Sequence, residues 1–273
     1  MSTGINIYAA SSGFDSRLFF PGSLGVSIVT AQITGSGFPT IYTEGELSYK
    51  LNGVSYRVTF EGTDFGLNAF QDFHGEVLSG KVDKLVNGSY QPIASMVFFP
   101  DPDNPYDAGF INSAASLTPD TLYSQNSYYN GAHLNFIGAA GADKLFGSRF
   151  GDYFIGVDGR DQMTGYGGAD EFNFDRIGKA NADHITDFRI GQDTILIDRS
   201  DDPSQFKGVT AANLDKTFHD ITKQAEQSDD RIIYDRHTGN LSYDADGSGH
   251  KAAVVFAYLD NHAALDWRDF EMF

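Results

Sequence analysis

Apolar and polar residues alternate over several short stretches of the first hundred residues. Two pairs of such stretches, at 46–51 and 54–60 and at 84–86 and 89–99, are each separated by an Asn-Gly dipeptide. An Asn-Gly pair between alternating runs is a strong signal of a β-hairpin, because both residues tolerate the positive φ of the tight turn. Residues 1–130 are therefore predicted as a β-rich region, with 1–20 as a loose leader and a further strand over 25–30.

Residues 200–273 combine one helical pattern with several strand patterns. Thr210 is of a type that caps helices, and the apolar residues after it, as far as Phe218, are spaced as in a helix. The runs at 231–235 and 240–243 predict another hairpin, and 252–258 predicts a third strand. This section is expected to be a helical connector followed by capping strands.

A repeat of nine residues occupies positions 138–173. The four consecutive nonapeptides are GAAGADKLF, GSRFGDYFI, GVDGRDQMT and GYGGADEFN. Glycine is first, aspartate sixth and an apolar residue eighth in every nonapeptide, and glycine is fourth in three of the four. Self-similarity at a fixed period is the sequence signature of a stacked repeat architecture.

The nonapeptide divides into a six-residue turn and a three-residue strand. Glycines at positions one and four permit backbone angles that other residues avoid, and the apolar eighth residue points inward. Two nonapeptides complete one coil, so each turn stacks on the turn two nonapeptides further on. Asp143 is then expected beside Asp161, and Asp152 beside Asp170. Carboxylates held so close repel one another, and a divalent cation between the turns removes that cost.

Calcium fits these turns better than magnesium. Calcium accepts about six to eight oxygen ligands from carboxylates and backbone carbonyls, whereas magnesium demands a small octahedral shell and keeps its water. The candidate carboxylate ligands are the sixth residues of the nonapeptides, Asp143, Asp152, Asp161 and Asp170. The candidate carbonyl ligands are their first and third residues, namely Gly138, Ala140, Gly147, Arg149, Gly156, Asp158, Gly165 and Gly167.

These nonapeptides resemble those of the RTX, or haemolysin-type calcium-binding repeat, family. The resemblance covers about residues 138–198, and it is weakest in the second nonapeptide, where Ser148 and Phe150 stand at glycine positions. The fourth nonapeptide departs only at position two, where Tyr166 replaces glycine. It implies an all-β fold in which residues 131–199 form a parallel β-roll between an N-terminal β-sheet region and the C-terminal capping strands. The block 182–197 is similar to the strand that ends such rolls, and by motif position Asp183 is implied as a further calcium ligand.

The resemblance also implies export by a type I secretion apparatus that reads an uncleaved C-terminal signal. Proteins of this family lack an N-terminal signal peptide and usually lack cysteine. This chain has no cysteine, its first residues do not form a basic and then apolar leader, and residues 266–273 resemble the family's charged and then apolar tail. We therefore expect a secreted, extracellular protein with calcium as its cofactor, folding when it meets calcium outside the cell.

The acidic composition agrees with a cation-binding role. The net charge is -18, and 30 of the 37 acidic residues are aspartate, which favours turns and supplies hard oxygen ligands. So negative a charge argues against nucleic acid or anionic lipid as a partner. No apolar run is long enough to span a bilayer.

The enzyme motifs H-E-x-x-H, G-x-S-x-G and G-x-x-x-x-G-K-[ST] do not occur in the sequence. Their absence favours a non-catalytic role at a cell surface, in a matrix or in host contact. Two alternatives place a site in the N-terminal β region. One is a secreted polysaccharide-active enzyme that uses a pair among Glu61, Asp64, Asp72 and Glu76. The other is a carbohydrate-binding protein with exposed aromatics, and an extracellular glycan or cell surface would be its partner.

One further segment, at 244–249, resembles the start of an EF-hand loop. It carries Asp244 and Asp246, but Val255 occupies the position of the twelfth-position glutamate. A hairpin turn is the favoured interpretation, and a weak extra calcium site is the alternative.

Overall fold

The computed structural model describes residues 4–9, 28–35, 42–67, 73–98, 109–111, 133–220 and 227–273. The chain divides into two compact units, Met1–Ile137 and Gly138–Phe273, so that the second begins at the first residue of the first nonapeptide. Most of the described secondary structure is β-strand, with helix limited to short turns. The prediction of an all-β protein is confirmed.

The described strands of the first unit are β1 (Gly4–Ala9), β2 (Ile28–Gly35), β3 (Tyr42–Leu51), β4 (Val54–Leu67), β5 (Phe73–Val86), β6 (Ser89–Phe98), β7 (Gly109–Ile111) and β8 (His133–Ile137). Strands β2 to β6 form an antiparallel meander in chain order. Strand β1 pairs antiparallel with β6 and parallel with β8, and β7 pairs with β5. Residues 4–9 are therefore a paired strand, and their prediction as part of a loose leader is wrong.

Both predicted Asn-Gly hairpins are present. Asn52 and Gly53, between β3 and β4, have φ angles of 51° and 81°. Asn87 and Gly88, between β5 and β6, have 50° and 81°. Two successive positive φ angles are what a tight hairpin turn requires. Of the other predicted features, residues 25–27 and the loop 100–107 lie outside the described residues.

The first strands of the second unit are β9 (Lys144–Phe146), β10 (Tyr153–Ile155), β11 (Gln162–Thr164), β12 (Glu171–Phe174), β13 (Asp183–Ile185) and β14 (Thr194–Ile197). After them follow β15 (Phe218–Asp220), β16 (Ile232–Asp235), β17 (Asn240–Tyr243), β18 (Val254–Leu259) and β19 (Phe270–Met272). The last three residues of each nonapeptide form one of the strands β9 to β12, as the division into turn and strand predicts.

Successive strands from β9 to β14 alternate between two sets of parallel pairs. One set contains β9, β11, β13 and β18 in this order, and the other contains β10, β12, β14 and β19. Leu145 faces Met163 and Phe154 faces Phe172 across these pairs. The sheets are mixed rather than parallel throughout, because β17 pairs antiparallel with both β16 and β18.

The apolar eighth residues form the core between these strands. Leu145, Phe154, Met163 and Phe172 are each 0% exposed, and so are their later counterparts Ile185 and Ile195. The rings of Phe154 and Phe172 stack with centroids 5.1 Å apart. Burying a side chain of this size stabilises a fold by about 1.5–3 kcal/mol, so the inward-pointing column holds the turns in register.

The predicted helical connector is reduced to one turn. A helix, α1, spans only Leu214–Thr217, with Asn213 at its N-cap, and Phe218 begins β15. The Asn213 side chain instead accepts a hydrogen bond from the Thr210 backbone N–H at 2.7 Å, which holds the preceding residues in a turn. The prediction of a helix from Thr210 to Phe218 is wrong outside α1, because the chain turns into a strand that pairs with β16.

The C-terminal residues are ordered by a capped turn and a strand. The Asp266 carboxylate accepts a hydrogen bond from the Arg268 backbone N–H at 3.0 Å, and Asp269 completes a capping box. Strand β19 then pairs in parallel with β14. A secretion signal in this segment stays a prediction. Among the described residues, no helix has the length and apolar character needed to cross a membrane.

Candidate metal-binding site

Two columns of aspartates cross the stacked turns of the second unit. The first ladder is Asp143, Asp161 and Asp183, and the second ladder is Asp152, Asp170 and Asp193. In each ladder, the Oδ1 atom of one aspartate accepts a hydrogen bond from the backbone N–H of the preceding one. The N–O distances are 2.8 and 2.9 Å in the first ladder and 2.9 and 3.2 Å in the second. All six residues are at most 6% exposed.

The ladders contain every carboxylate ligand predicted from the sequence. The partners within the repeats, Asp143 with Asp161 and Asp152 with Asp170, are 18 residues apart, as expected when two nonapeptides complete one coil. Sequence reasoning missed Asp193 as a ladder residue. The available signal was the sequence Asp193-Thr194-Ile195, which repeats the aspartate and the apolar residue at positions six and eight of the nonapeptides.

The first-position glycines leave space beside these carboxylates. An added Cβ at Gly156 would lie 2.3 Å from Asp161 Oδ2 and 3.0 Å from Asp183 Oδ2. At Gly147 it would lie 2.5 Å from Asp152 Oδ2 and 2.9 Å from the Gly165 carbonyl oxygen. These glycines do not have a positive φ, so the expected conformational reason for glycine at position one is wrong. Glycine is required there because oxygen atoms crowd the place of a side chain.

Gly138 shows the same arrangement one layer earlier in the first ladder. Its added Cβ would be 2.3 Å from the Gly156 carbonyl oxygen and 3.2 Å from Asp143 Oδ2. Carbonyl oxygens predicted as ligands, those of Gly156 and Gly165, therefore face ladder carboxylates across small gaps. Mixed carboxylate and carbonyl oxygen is the donor set that calcium prefers.

The fourth-position glycines meet the conformational expectation. Gly141, Gly159 and Gly168 have φ angles of 102°, 132° and 99°, a region that favours glycine. Space is also limiting, because an added Cβ at Gly168 would lie 2.1 Å from the Phe150 carbonyl carbon. The second nonapeptide has Phe150 itself at this position, and it is the turn that matches the family pattern least.

The third residues of the nonapeptides stack in pairs, as the first and sixth do. Ala140 forms a parallel β-bridge with Asp158, whose carbonyl oxygen accepts a hydrogen bond from the Gly141 N–H at 2.6 Å. The Arg149 carbonyl oxygen would lie 3.2 Å from a Cβ added to Gly167. The side chain of Asp158 forms an ion pair with Arg176 at the surface. The third-position residues would therefore contribute their backbone oxygens, rather than their side chains, as ligands.

Two carboxylate oxygens in the ladders are buried without a hydrogen-bond partner, Asp161 Oδ2 and Asp170 Oδ2. Both belong to the middle residue of a ladder, and both residues are 1% exposed. By contrast, Asp143 Oδ2 accepts a hydrogen bond from the Ala139 N–H at 2.7 Å, and Asp193 Oδ2 accepts one from the Arg189 N–H at 2.7 Å. A buried, unsatisfied carboxylate oxygen is costly, and a bound cation would remove that cost.

Burial changes the acidity of these carboxyl groups. It raises the pKa of Asp161 to about 7 and those of Asp170 and Asp183 to about 8. Repulsion from the next aspartate in the ladder acts in the same direction, for example from Asp143 on Asp161. Without a cation the middle of each ladder therefore tends to hold protons near neutral pH, and a divalent ion would compete with those protons.

No group of three or more His, Cys, Asp or Glu side chains that could hold a metal ion occurs among the described residues. The ladders instead bring acidic side chains together with backbone carbonyls. A site here would depend on those carbonyls as much as on the carboxylates.

The EF-hand-like segment uses its first carboxylate locally. It connects β17 to β18, which pair as a hairpin. Asp244 Oδ1 accepts hydrogen bonds from the backbone N–H groups of Asp246 and Gly247 at 3.0 and 2.8 Å. This is the pattern of an Asx turn, in agreement with the favoured interpretation of a hairpin turn. Calcium binding at this segment stays a prediction.

The acids named for an N-terminal active site lie on neighbouring strands. Glu61 and Asp64 belong to β4 and Glu76 to β5, with Glu76 opposite Thr63. Asp72 lies outside the described residues. Nothing in these positions selects a catalytic pair, so the alternatives for this region stay predictions.

No protein-family model matches the chain, and a search of curated proteins gives no significant match. The structure defines an all-β protein with two stacked aspartate ladders. Membership of the RTX family stays a prediction from the nonapeptides.

Proposed function

We propose that this chain is a secreted calcium-binding protein of the RTX type, with a non-catalytic role at a cell surface, in a matrix or in host contact. The single observation that carries the proposal is Asp161 Oδ2, a buried carboxylate oxygen of the first ladder that has no hydrogen-bond partner. Asp143, Asp152, Asp161, Asp170 and Asp183 would hold the calcium ions, together with carbonyl oxygens of the first and third turn residues.

The strand pairing supports a β-roll as the architecture of the repeats. Consecutive strands alternate between two parallel sets, and the paired strands β9 with β11 and β10 with β12 are offset by two nonapeptides. Each coil of such a roll would place its aspartates at two opposite series of turns, which the two ladders represent. The antiparallel strands β16 and β17 extend one set beyond the repeats.

Calcium binding would couple folding to location. Extracellular calcium modules have Kd values of about 10⁻⁴ to 10⁻³ M, far above cytosolic calcium. Inside the cell the ladders would remain empty, and repulsion between buried carboxylates would oppose folding. Outside, the binding free energy of the ion would become folding free energy. The chain would therefore be exported unfolded and would fold after export.

A calcium titration followed by far-UV circular dichroism tests the proposal. Protein stripped of metal by chelator should gain β signal as calcium reaches millimolar concentration and lose it when chelator is added again. Magnesium at the same concentration should give a much smaller change. No spectral or stability change on adding calcium would overturn the proposal. The double variant Asp161→Asn, Asp170→Asn is the matched control, because it keeps the Oδ1 acceptors while removing the charge.

The N-terminal alternatives are separated by a different experiment. A glycan and surface-binding screen at millimolar calcium tests whether the first unit recognises carbohydrate. Binding that survives the double aspartate substitution would assign recognition to the first unit rather than to the ladders. Turnover of a bound polysaccharide would favour the enzyme over the binding module.

A further inference from the structure

The second ladder has a positively charged side chain, that of Arg189, beside its carboxylates. An Nη2 atom of Arg189 lies 3.5 Å from Asp170 Oδ2 and 3.6 Å from Asp193 Oδ1. The same nitrogen donates a hydrogen bond to the Gly168 carbonyl oxygen at 2.8 Å. The guanidinium therefore contacts two carboxylates and one turn carbonyl at once, the mixed oxygen set that a divalent ion in this ladder would use.

One hydrogen bond, to the Gly168 carbonyl oxygen, and attraction to two carboxylates hold Arg189 in this position. Its Nε atom is buried and has no hydrogen-bond partner, and neither carboxylate forms the bidentate pair typical of arginine. The guanidinium therefore lies where two carboxylates need a positive charge.

In the corresponding interval of the first ladder, the largest charge effects come from acidic neighbours. They come from Asp143 and Asp158 on Asp161, and from Asp161 and Asp175 on Asp183. The Oδ2 atoms of Asp161 and Asp183 are both among the three atoms nearest the space above Gly156, whereas the three nearest the space above Gly165 all belong to Asp170. The interval between Asp161 and Asp183 and the interval between Asp170 and Asp193 therefore differ in their charge environment, although their backbone geometry is equivalent.

We infer that the Arg189 guanidinium takes the place of one divalent cation between Asp170 and Asp193, so that the second ladder binds one calcium ion fewer than the first. The inference rests on the proposed calcium function and names one residue that would set its stoichiometry. Arg189 lies outside the nonapeptides, so the repeat pattern alone would overcount the sites.

The test compares two matched substitutions by equilibrium dialysis with calcium-45. Asp183→Asn removes a carboxylate from the interval between Asp161 and Asp183, which is the counterpart of the interval beside Arg189. This variant should bind one calcium ion fewer than the wild-type protein. Asp193→Asn removes its counterpart beside Arg189, and it should leave the number unchanged. An equal loss in both variants would overturn the inference.

A second variant tests Arg189 directly. Arg189→Gln should add one calcium ion per chain, whereas Arg189→Lys, which keeps the charge, should retain the wild-type number. Arg236→Gln makes the same change of charge at an exposed position and should have no effect. An unchanged stoichiometry in Arg189→Gln would contradict the inference while leaving calcium binding intact. Absence of bound calcium in the wild-type protein would instead overturn the proposed function.

Discussion

The two aspartate ladders have the same backbone hydrogen-bond pattern and differ in the groups that neutralise their charge. Each links three buried carboxylates by the same hydrogen bond from backbone N–H to Oδ1. Arg189 lies beside Asp170 and Asp193 in the second ladder, whereas the largest charge effects on Asp161 come from other carboxylates. Similar geometry can therefore give unequal demand for an external cation. The following variants separate the shared geometry from the unequal charge.

The largest expected effect is calcium stabilisation itself. Each site that binds only the folded state adds about 2.7 kcal/mol to the free energy of unfolding when calcium is at one hundred times its Kd. Two such sites would therefore contribute about 5 kcal/mol under these conditions. Urea unfolding with calcium and with chelator measures the difference, and Asp161→Asn should lose the share of the first ladder.

The same substitution should stabilise the first ladder more than the second when calcium is removed. At pH 8 in chelator, Asp161→Asn should raise the free energy of unfolding by about 1 kcal/mol, because it removes a buried carboxylate that is repelled by neighbouring carboxylates. Asp170→Asn should raise it less, because Arg189 loses one of its two carboxylate partners. Equal stabilisation by both variants would show that Arg189 does not distinguish the ladders.

Turn geometry should affect the ladders equally. Gly159→Ala and Gly168→Ala place a Cβ 2.4 and 2.1 Å from backbone atoms at positive φ. Each should cost about 3 kcal/mol, from backbone strain together with overpacking. Gly191→Ala is the matched control, since its φ of 68° is also positive but nothing lies within 4 Å of the added Cβ. A loss of about 1 kcal/mol is expected there, measured by chemical unfolding in chelator.

The raised pKa values of the ladders predict a pH dependence. Asp161, Asp170 and Asp183 have folded pKa values of about 7 to 8, against about 3.9 in the unfolded chain. The folded state therefore binds more protons between these limits. The stability that protonation provides is complete below pH 4 and is lost as pH rises to 8.

Stability in chelator should accordingly fall steadily from pH 5 to pH 8 and level off above that range. The increment produced by calcium should grow over the same range, because the ion displaces those protons. Urea unfolding at several pH values, with and without calcium, measures both trends. Asp161→Asn is the control and should make the profile less steep, because the raised pKa values of Asp170 and Asp183 still contribute. An equally steep profile in that variant would assign the effect to other groups.

The smallest effect concerns position two of the turns. Val157 in the first ladder and Tyr166 in the second have φ angles of 73° and 63°, which are strained for residues other than glycine. Val157→Gly should stabilise by about 1 kcal/mol. Tyr166→Gly should gain less, because Tyr166 stacks on Phe146 with ring centroids 6.3 Å apart. Thermal unfolding of the two variants under the same conditions compares them, and a destabilised Val157→Gly would contradict the strain argument.

The nonapeptides predicted more of the structure than any other segment, because nearby residues determine their turns and strands. Spacing was sufficient to place Asp143 beside Asp161 and Leu145 opposite Met163. Arg189 could not be found in this way, since its role depends on a contact with Gly168 across the fold. The prediction of a helix after Thr210 is wrong for a similar reason, because pairing of Phe218 with Ile232 overrides the local helix propensity.

The position of bound calcium tests the central claim most directly. Crystals grown with millimolar calcium and measured at a long X-ray wavelength would locate the ions by anomalous scattering. We predict density about 2.3–2.6 Å from Asp161 Oδ2. Anomalous density elsewhere, with this oxygen left without an ion, would contradict the account.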